Sequence, residues 1–246
     1  MCGIVGYVGE KQALSVVVEG LRRLEYRGYD SAGVAVVADG LLDTRKKAGK
    51  LANLETLLGT DPLPQSTIGI GHTRWATHGG PTDGNAHPHV SEDGKVAVIH
   101  NGIIENFAEL RAELTGAGVT LSSETDTEVV AHLLAAVLPE TGHDLAEAMR
   151  RVCRRLSGAF TLVAVHSDIP DVVVGARRNS PLVVGRGDGE NFLASDVAAF
   201  IAHTRHATEL GQDQVVELRR DGVVVTTFDG APAEVTEYEV TWDASA

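Results

Sequence analysis

Apolar residues along this chain recur at two spacings, which predict two kinds of element. Short apolar runs that end at Gly, Pro or polar positions predict buried strands. Apolar positions three and four residues apart predict helices with one buried face. The predicted strands span residues 4–8, 33–37, 67–71, 96–100, 160–166, 172–176, 181–185, 192–195, 215–218 and 223–228. The predicted helices span residues 13–24, 106–114, 127–138 and 145–156.

The order of these elements indicates the fold class. Strands dominate both ends of the chain, whereas helices gather near the start and in the middle. This is not the regular alternation of strand and helix that a doubly wound parallel sheet requires. We therefore expect an α+β fold in which two mainly antiparallel sheets are covered by helices. The segments Asp221-Gly222 and Gly185-x-Gly187-x-Gly189 predict hairpin turns, and the second lacks the Lys-Ser/Thr of a phosphate-binding loop.

Composition and charge narrow the class of protein. With 43% hydrophobic and 22% charged residues, the chain has the composition of a soluble globular protein. Its formal net charge of -13 disfavours nucleic acid and anionic membrane surfaces as partners. No signal peptide or spanning apolar run is evident, and the two cysteines make no disulfide framework, so we expect a cytoplasmic location. Cys153 falls in a helical pattern and is expected to be a buried structural thiol.

Cys2 is a small residue directly after Met1, and an N-terminal methionine in that position is commonly removed. Removal of Met1 would leave its thiol on the residue that carries the free α-amine of the chain. A free α-amine titrates near pH ~7.7–8.0 and a free thiol near pH ~8.5. The amine can therefore accept the proton of the thiol and later give it to a leaving group. Cys2 is a candidate nucleophile with its own general base; alternatively, position 2 simply holds a small residue.

Two segments that follow predicted strands carry polar residues suited to substrate binding. The first, residues 72–79, contains Arg74, which could hold a carboxylate with two parallel hydrogen bonds or be an ordinary surface arginine. The second begins with Asn101-Gly102. The side-chain amide and backbone N–H of this pair could form an oxyanion hole, although Asn-Gly is also a common tight turn.

A third polar segment, residues 122–128, precedes a predicted helix. Thr125 and Glu128 have the spacing of a capping box, and acidic residues are common in a first helical turn. Asp126 in the same segment could instead pair with the α-ammonium group of an amino acid.

Histidines invite a metal hypothesis, chiefly through the segment His87-Pro88-His89. No HExxH motif is present in the sequence, and no carboxylate or cysteine stands at ligand spacing beside these histidines. We therefore expect no metal site and no other cofactor. The remaining members of the group are His72, His78 and His100.

Six motifs in one order resemble those of the class II glutamine amidotransferases, and among these the enzymes that aminate a sugar phosphate. They are the segments 2–6, 21–33, 72–79, 85–89, 98–106 and 123–129, with further matches at 177–182 and 194–196. The resemblance runs from Cys2 to about residue 240. It implies the N-terminal nucleophile hydrolase fold, a four-layer αββα sandwich, in agreement with the expectation from the pattern.

The resemblance also implies roles for individual residues. Cys2 would be the nucleophile, with Asn101 and Gly102 as the oxyanion hole. Arg74 would bind the α-carboxylate of L-glutamine, and Asp126 its α-ammonium group. The other implied site residues are Arg27 beside the nucleophile, Trp75 near the route of ammonia, and Thr77 and His78 on a loop that closes over the bound amide.

At the level of domains, the resemblance implies that residues 1–240 form a glutaminase domain. Residues 241–246 would begin a linker to sugar-phosphate isomerase domains that the chain lacks. In the full-length enzyme, implied to be a homodimer, ammonia from glutamine would convert fructose 6-phosphate to glucosamine 6-phosphate. The chain alone would hydrolyse glutamine to glutamate and ammonia.

Several alternatives stay open. Phosphoribosylpyrophosphate amidotransferases, asparagine synthetases and glutamate synthases share the nucleophile, although residues 25–30 and 74–78 favour the sugar-phosphate enzymes. The chain could also be a glutamine-binding module without turnover, which would tolerate a retained Met1. A metal hydrolase is a third possibility and would lose its activity to a chelator.

Overall fold

Strands make up most of the regular structure in the computed structural model, which describes residues 2–242. The helices of this part of the chain are α1 (Ala13–Arg23), α2 (Leu51–Thr60), α3 (Phe107–Gly116), α4 (Glu128–Val137) and α5 (Leu145–Arg155). Its strands are β1 (Gly3–Val8), β2 (Ser31–Ala38), β3 (Leu41–Ala48), β4 (Ile68–Arg74), β5 (His89–Val90), β6 (Val96–Ile104), β7 (Gly158–His166), β8 (Ile169–Arg178), β9 (Val183–Arg186), β10 (Asn191–Ala194), β11 (His206–Glu209), β12 (Gln214–Arg219), β13 (Gly222–Thr227) and β14 (Thr236–Glu239).

The strands form two antiparallel sheets. The first sheet has the order β14-β11-β9-β10-β1-β4-β2-β3, and the second has the order β13-β12-β8-β7-β6-β5. In the first sheet β4 lies between β1 and β2, so that its end meets the start of the chain. In the second sheet β6 pairs with β7 along its whole length, from Val96 to Ile104.

The fold has four layers, in the order helices, sheet, sheet and helices. Three layers of apolar side chains separate them. Between the sheets lie residues such as Ile4, Ile70 and Ile99. The outer face of the first sheet packs on α1 and α2, and the outer face of the second packs on α3, α4 and α5. The strands nearest the centre are buried on both faces, which is why they read as continuous apolar runs and not as alternating patterns. The predicted αββα sandwich is confirmed.

Each predicted strand and helix overlaps an element of the structure, but several elements were not predicted. The clearest are β3 and α2, which cover residues 41–60. β3 is an edge strand with the sequence LLDTRKKA, and its charged side chains hide the strand pattern. The sequence did contain a usable signal, the dipeptide Asp39-Gly40, which is typical of a hairpin turn. In the structure both residues have positive φ, of 53° and 74°, and they form the two-residue turn between β2 and β3.

The hairpin prediction at Asp221-Gly222 is confirmed in kind and corrected in position. Gly222 pairs with Arg219, so the two-residue turn between β12 and β13 is Arg220-Asp221. The glycine-rich segment 185–189 does join two antiparallel strands, β9 and β10, as predicted.

The predicted capping box at Thr125 and Glu128 is wrong. α4 begins at Glu128, and its N-cap residue Thr127 makes no side-chain capping bond. The Glu128 carboxylate accepts hydrogen bonds from Ser122 and Ser123, while the Thr125 hydroxyl pairs with Nε2 of a buried histidine at 2.9 Å. Other partners, close in sequence for Glu128 and distant for Thr125, therefore occupy the side chains that the box would need.

Cys153 is fully buried in α5, as predicted, and burial raises the pKa of its thiol. None of the helices described within residues 2–242 is both long and apolar enough to cross a membrane.

Candidate active site

The pairing of β1 with β4 places Cys2 against the backbone of Trp75. Gly3 lies opposite Thr73, and the Gly3 N–H donates to the Thr73 hydroxyl at 3.0 Å. One residue earlier, the Cys2 Sγ accepts a hydrogen bond from the Trp75 N–H at 3.1 Å. Burial raises the pKa of the Cys2 thiol, and this hydrogen bond works against that rise. The predicted removal of Met1 concerns a residue outside the described residues.

A cavity of about 490 Å³ opens beside Cys2 and is lined by both sheets. Eight of the nine predicted site residues line it, the exception being His78. The full lining consists of Cys2, Arg27, Arg74, Trp75, Thr77, His87, His100, Asn101, Gly102, Ile103, Asp126, Thr127, Ser180, Pro181 and Ser195. The structure thus brings the predicted residues together, while their individual roles remain predictions.

Asn101 and Gly102 approach Cys2 from the opposite sheet, on β6. The Asn101 Nδ2 donates to the backbone carbonyl of Cys2 at 3.1 Å. Gly102 has φ of +114°, and a Cβ at this position would lie 2.1 Å from the Ala159 carbonyl oxygen. Only glycine fits here, and both residues line the cavity.

Arg74, the last residue of β4, brings a positive charge to the cavity lining, and its side chain is buried. Its guanidinium donates to the carbonyl of Gly80 at 3.1 Å, to that of Gly79 at 3.2 Å and to that of His78. These bonds fold the 75–80 loop back over the arginine. Burial lowers the pKa of Arg74 below its usual value, opposed by the nearby Asp30 carboxylate, and the group stays charged.

Asp126 supplies a negative charge in the same cavity. Its Oδ2 accepts from the Ile104 N–H at 2.8 Å, and its Oδ1 accepts from the Thr127 hydroxyl at 3.4 Å. Asp126 and Arg74 therefore place a negative and a positive charge in the lining of one cavity.

Arg27 holds the backbone around Cys2. Its Nη1 donates to the Ser195 hydroxyl at 3.1 Å and to the Cys2 carbonyl at 3.4 Å. Its Nη2 donates to Asp196 at 2.9 Å. The Ser195 hydroxyl in turn accepts from the Ile4 N–H at 3.0 Å. These bonds tie β1 to the segment that follows β10.

The 75–80 loop forms the rim of the cavity. Trp75 is 56% exposed and packs beside Gly28, and Thr77 is also exposed. The His78 ring lies outside the cavity lining, edge-on to Phe107 with ring centroids 5.0 Å apart. His78 contributes to the site through its carbonyl, which Arg74 holds.

Buried histidines form the floor behind the cavity. His72 stacks on His87 with centroids 4.2 Å apart, and His87 contacts His89 edge-on. Burial lowers the pKa of each of these rings, and that of His72 falls to about 3, so all are neutral at pH 7. Their polar atoms bond to Asn101, Thr125 and Thr127. No group of three or more His, Cys, Asp or Glu side chains with metal-binding geometry occurs among residues 2–242.

Several lining residues were not predicted as site residues, among them Thr127, Ser180 and Ser195. All lie within segments that matched the family motifs, so their position in the sequence was the available signal. The contacts themselves join residues up to 191 positions apart, as between Ile4 and Ser195, which no local pattern reveals.

Residues 59–236 match the protein family described as a glutamine amidotransferase domain. This chain belongs to that family. A protein from Streptomyces coelicolor named glutamine–fructose-6-phosphate aminotransferase (isomerizing) is 74% identical over all 246 residues, which cover 40% of its length. A protein of the same name from Mycobacterium tuberculosis is 54% identical and is covered to 41%. The amidotransferase chain thus spans about 40% of the length of these relatives.

Solved structures agree with this membership. Glutamine phosphoribosylpyrophosphate amidotransferase from B. subtilis has a TM-score of 0.76 and 25% identity, over 92% of this chain and 49% of the other. A structure described as the allosteric regulatory enzyme of purine biosynthesis has a TM-score of 0.78 and 26% identity, with the same coverage. The amidotransferase domain therefore has the class II, N-terminal nucleophile fold.

Proposed function

We propose that this domain hydrolyses the side-chain amide of L-glutamine through a thioester on Cys2, which gives glutamate and ammonia. One observation carries the proposal. A single cavity joins a thiol, two N–H donors from the facing sheet, an arginine and an aspartate. Those groups match a nucleophile, an oxyanion hole and a binding site for an α-amino acid.

The first half of the reaction forms the thioester. Once Met1 is removed, the α-amine of Cys2 takes the thiol proton, and the thiolate attacks the Cδ of glutamine. The carbonyl π electrons move onto oxygen, where Asn101 and Gly102 donate to the negative charge. When the C–N bond breaks, the protonated amine gives its proton to the departing nitrogen, and ammonia leaves.

The second half releases glutamate. The amine now takes a proton from water, and the hydroxide attacks the thioester carbonyl against the same two donors. The C–S bond breaks, and the sulfur recovers its proton. The two donors remain fixed in the fold and need not reorganise as charge develops.

Arg74 and Asp126 select the substrate in this proposal. The α-carboxylate of glutamine would compete with the loop carbonyls for the Arg74 guanidinium, and Asp126 would accept from the α-ammonium group. A simple amide lacks both charges and would leave these buried groups without partners, which is costly. Thr77, His78 and Trp75 lie on the loop that would then close the cavity.

We further propose that the ammonia serves a longer enzyme that converts fructose 6-phosphate to glucosamine 6-phosphate. Two observations support this: the identity of 74% to a relative of that name, and the relative's greater length. A C-terminal isomerase domain, a homodimer, and a domain boundary near residue 240 are parts of the proposal that rest on the family resemblance. A cytoplasmic location is supported by the free thiols of Cys2 and Cys153.

The test is ammonia release from glutamine by the protein and by its Cys2→Ala variant, with intact mass to establish whether Met1 is removed. We expect turnover to be abolished in the variant while glutamine still binds. A chloroketone analogue of glutamine should label Cys2, and a Cys153→Ala control should label equally because Cys153 is buried. Near-normal turnover by Cys2→Ala would refute the mechanism. Binding without turnover, in protein that lacks Met1, would favour the glutamine-binding alternative.

A further inference from the structure

His72 lies between the two sheets and contacts a predicted oxyanion residue. It belongs to β4 of the first sheet, where it lies opposite Ile4 of β1, and its ring is 1% exposed. Its Nε2 is 2.9 Å from the Oδ1 of Asn101, which belongs to β6 of the second sheet. His72 is not among the residues that line the cavity, so it can affect a bound amide only through another residue.

The orientation of the Asn101 amide decides whether this residue helps or hinders catalysis. An asparagine amide can exchange its oxygen and nitrogen by a half-turn. The backbone carbonyl of Cys2 can only accept a hydrogen bond, so the Asn101 atom that faces it at 3.1 Å must be Nδ2. One Nδ2 hydrogen goes to that carbonyl and leaves the second for the substrate oxygen. The Oδ1 then faces His72, whose Nε2 must carry the proton.

The state of the His72 ring agrees with this assignment. Burial lowers the pKa of His72 to about 3, so the ring is neutral and has one N–H. With that proton on Nε2, Nδ1 is a bare nitrogen, and Nδ1 is indeed buried without a hydrogen-bond partner among residues 2–242. The stacked ring of His87, inclined by only 16°, fixes the plane of the imidazole.

We propose that His72 is a positioning residue, whose Nε2–H holds the Asn101 side chain with its amine toward the carbonyl oxygen of the bound amide. This inference rests on the proposed glutaminase function. Without the donor, only the hydrogen bond to the Cys2 carbonyl holds the Asn101 amide. The amide can then turn more easily and present Oδ1, an acceptor, to an oxygen that becomes negative. A stabilising contact would then become a repulsive one, and the effect would fall on the chemical step more than on substrate binding.

Two substitutions of similar shape test the donor. In His72→Gln the side-chain amide nitrogen reaches about as far from the backbone as Nε2, whereas His72→Met fills similar space without a donor. We expect His72→Met to lower kcat by about 10- to 100-fold with KM changed by less than about threefold, because a misplaced oxyanion donor costs up to the ~10²–10³-fold of a lost one. His72→Gln should recover kcat to within about fivefold.

A double-mutant cycle separates positioning from general packing. In an Asn101→Ala background, His72→Met should lower kcat by less than about twofold more, since the residue through which it acts is gone. An equal loss in both backgrounds would overturn the proposal, as would a Gln variant no more active than Met. If thermal unfolding shows that the His72→Met variant is not folded, the His72→Asn variant replaces it. The asparagine side chain is shorter than histidine and places its donor out of reach of Asn101.

The two proposals fail in different ways. If the glutaminase function is wrong, the unsubstituted protein releases no ammonia, or Cys2→Ala still does, whatever residue stands at position 72. If only the role of His72 is wrong, the unsubstituted protein is active and Cys2→Ala is not, but the Met and Gln variants do not differ.

Discussion

Gly102→Ala is the substitution for which the structure gives the most definite expectation. The residue has φ of +114°, and the added Cβ would lie 2.1 Å from the Ala159 carbonyl oxygen. Since real Cβ contacts under 3.0 Å are essentially never seen, the two backbones must separate by close to an ångström. The positive φ adds about 1–3 kcal/mol of strain.

Catalysis should suffer more than stability. A displacement of about 1 Å in a reacting geometry can lower the rate by about 10²-fold, and loss of one oxyanion donor costs about 10²–10³-fold. We therefore expect Gly102→Ala to lower kcat for glutamine hydrolysis by at least about 10²-fold. The strain alone should lower Tm by roughly 2–10 °C for a chain of this size. Ammonia release at saturating glutamine and thermal unfolding measure the two effects.

Gly158→Ala is a matched control in the neighbouring strand. Gly158 has φ of +109°, and its Cβ would lie 2.2 Å from the Ile103 carbonyl oxygen, across the same β6–β7 pair. It does not line the cavity. We expect a similar fall in Tm with kcat retained to within about fivefold. Equal losses of kcat in both variants would refute the reasoning, because strand strain and not the Gly102 donor would then explain them.

Three further substitutions probe binding and stability. Asp126→Asn should lower kcat/KM for glutamine by about 10²-fold, because the α-ammonium loses its charged partner. Arg74→Lys should raise KM about tenfold or more, since a lysine cannot hold the loop carbonyls and a carboxylate with one planar group. Although burial opposes it, hydrogen bonds from His132 and Ser123 hold the pKa of Glu128 well below its usual value. That depressed pKa stabilises the fold above the unfolded pKa of about 4.3 and less as pH falls below it. Glu128→Gln should therefore lower Tm at pH 7, and the difference from the unsubstituted protein should shrink by pH 3.

Each of these has an outcome that contradicts it. Unchanged kcat/KM in Asp126→Asn would remove the ammonium-binding role, and unchanged KM in Arg74→Lys would show that the guanidinium serves the loop alone. A Tm difference for Glu128→Gln that is the same at pH 7 and pH 3 would show that its charge contributes nothing to the fold.

The sequence predicted the central sheets well because their strands are buried on both faces. A strand such as β1, with Ile4 toward the other sheet and Val5 toward α1, can use only apolar residues, and the run is visible. β3 faces solvent at the sheet edge, so its charged residues carry no such signal. The Asp39-Gly40 turn before it was the one local clue.

Site residues were predicted by motif, but their connections were not. The spacing of Thr125 and Glu128 suggested a local cap, yet Glu128 bonds to Ser122, Ser123 and His132 in the folded chain. A spacing rule cannot decide which of several possible partners a side chain takes, even when those partners are near it in sequence. Arg74 shows the same limit, because the sequence could not reveal that its guanidinium already binds its own loop.

Cys2 and the Asn101-Gly102 pair belong to different sheets. Their separation is set by the apolar layer between those sheets and by the hydrogen bonds that Asn101 makes with the Cys2 carbonyl and with His72. A small shift of one sheet relative to the other would leave most of the apolar side chains between them buried. It would nevertheless carry the sulfur away from the two N–H groups that must meet the same oxygen. In the proposed mechanism, the rate of glutamine hydrolysis therefore depends on the position of one sheet relative to the other. Substitutions in the layer between the sheets, at positions such as Ile99 or Val163, should lower the rate of hydrolysis before they change any measure of folding.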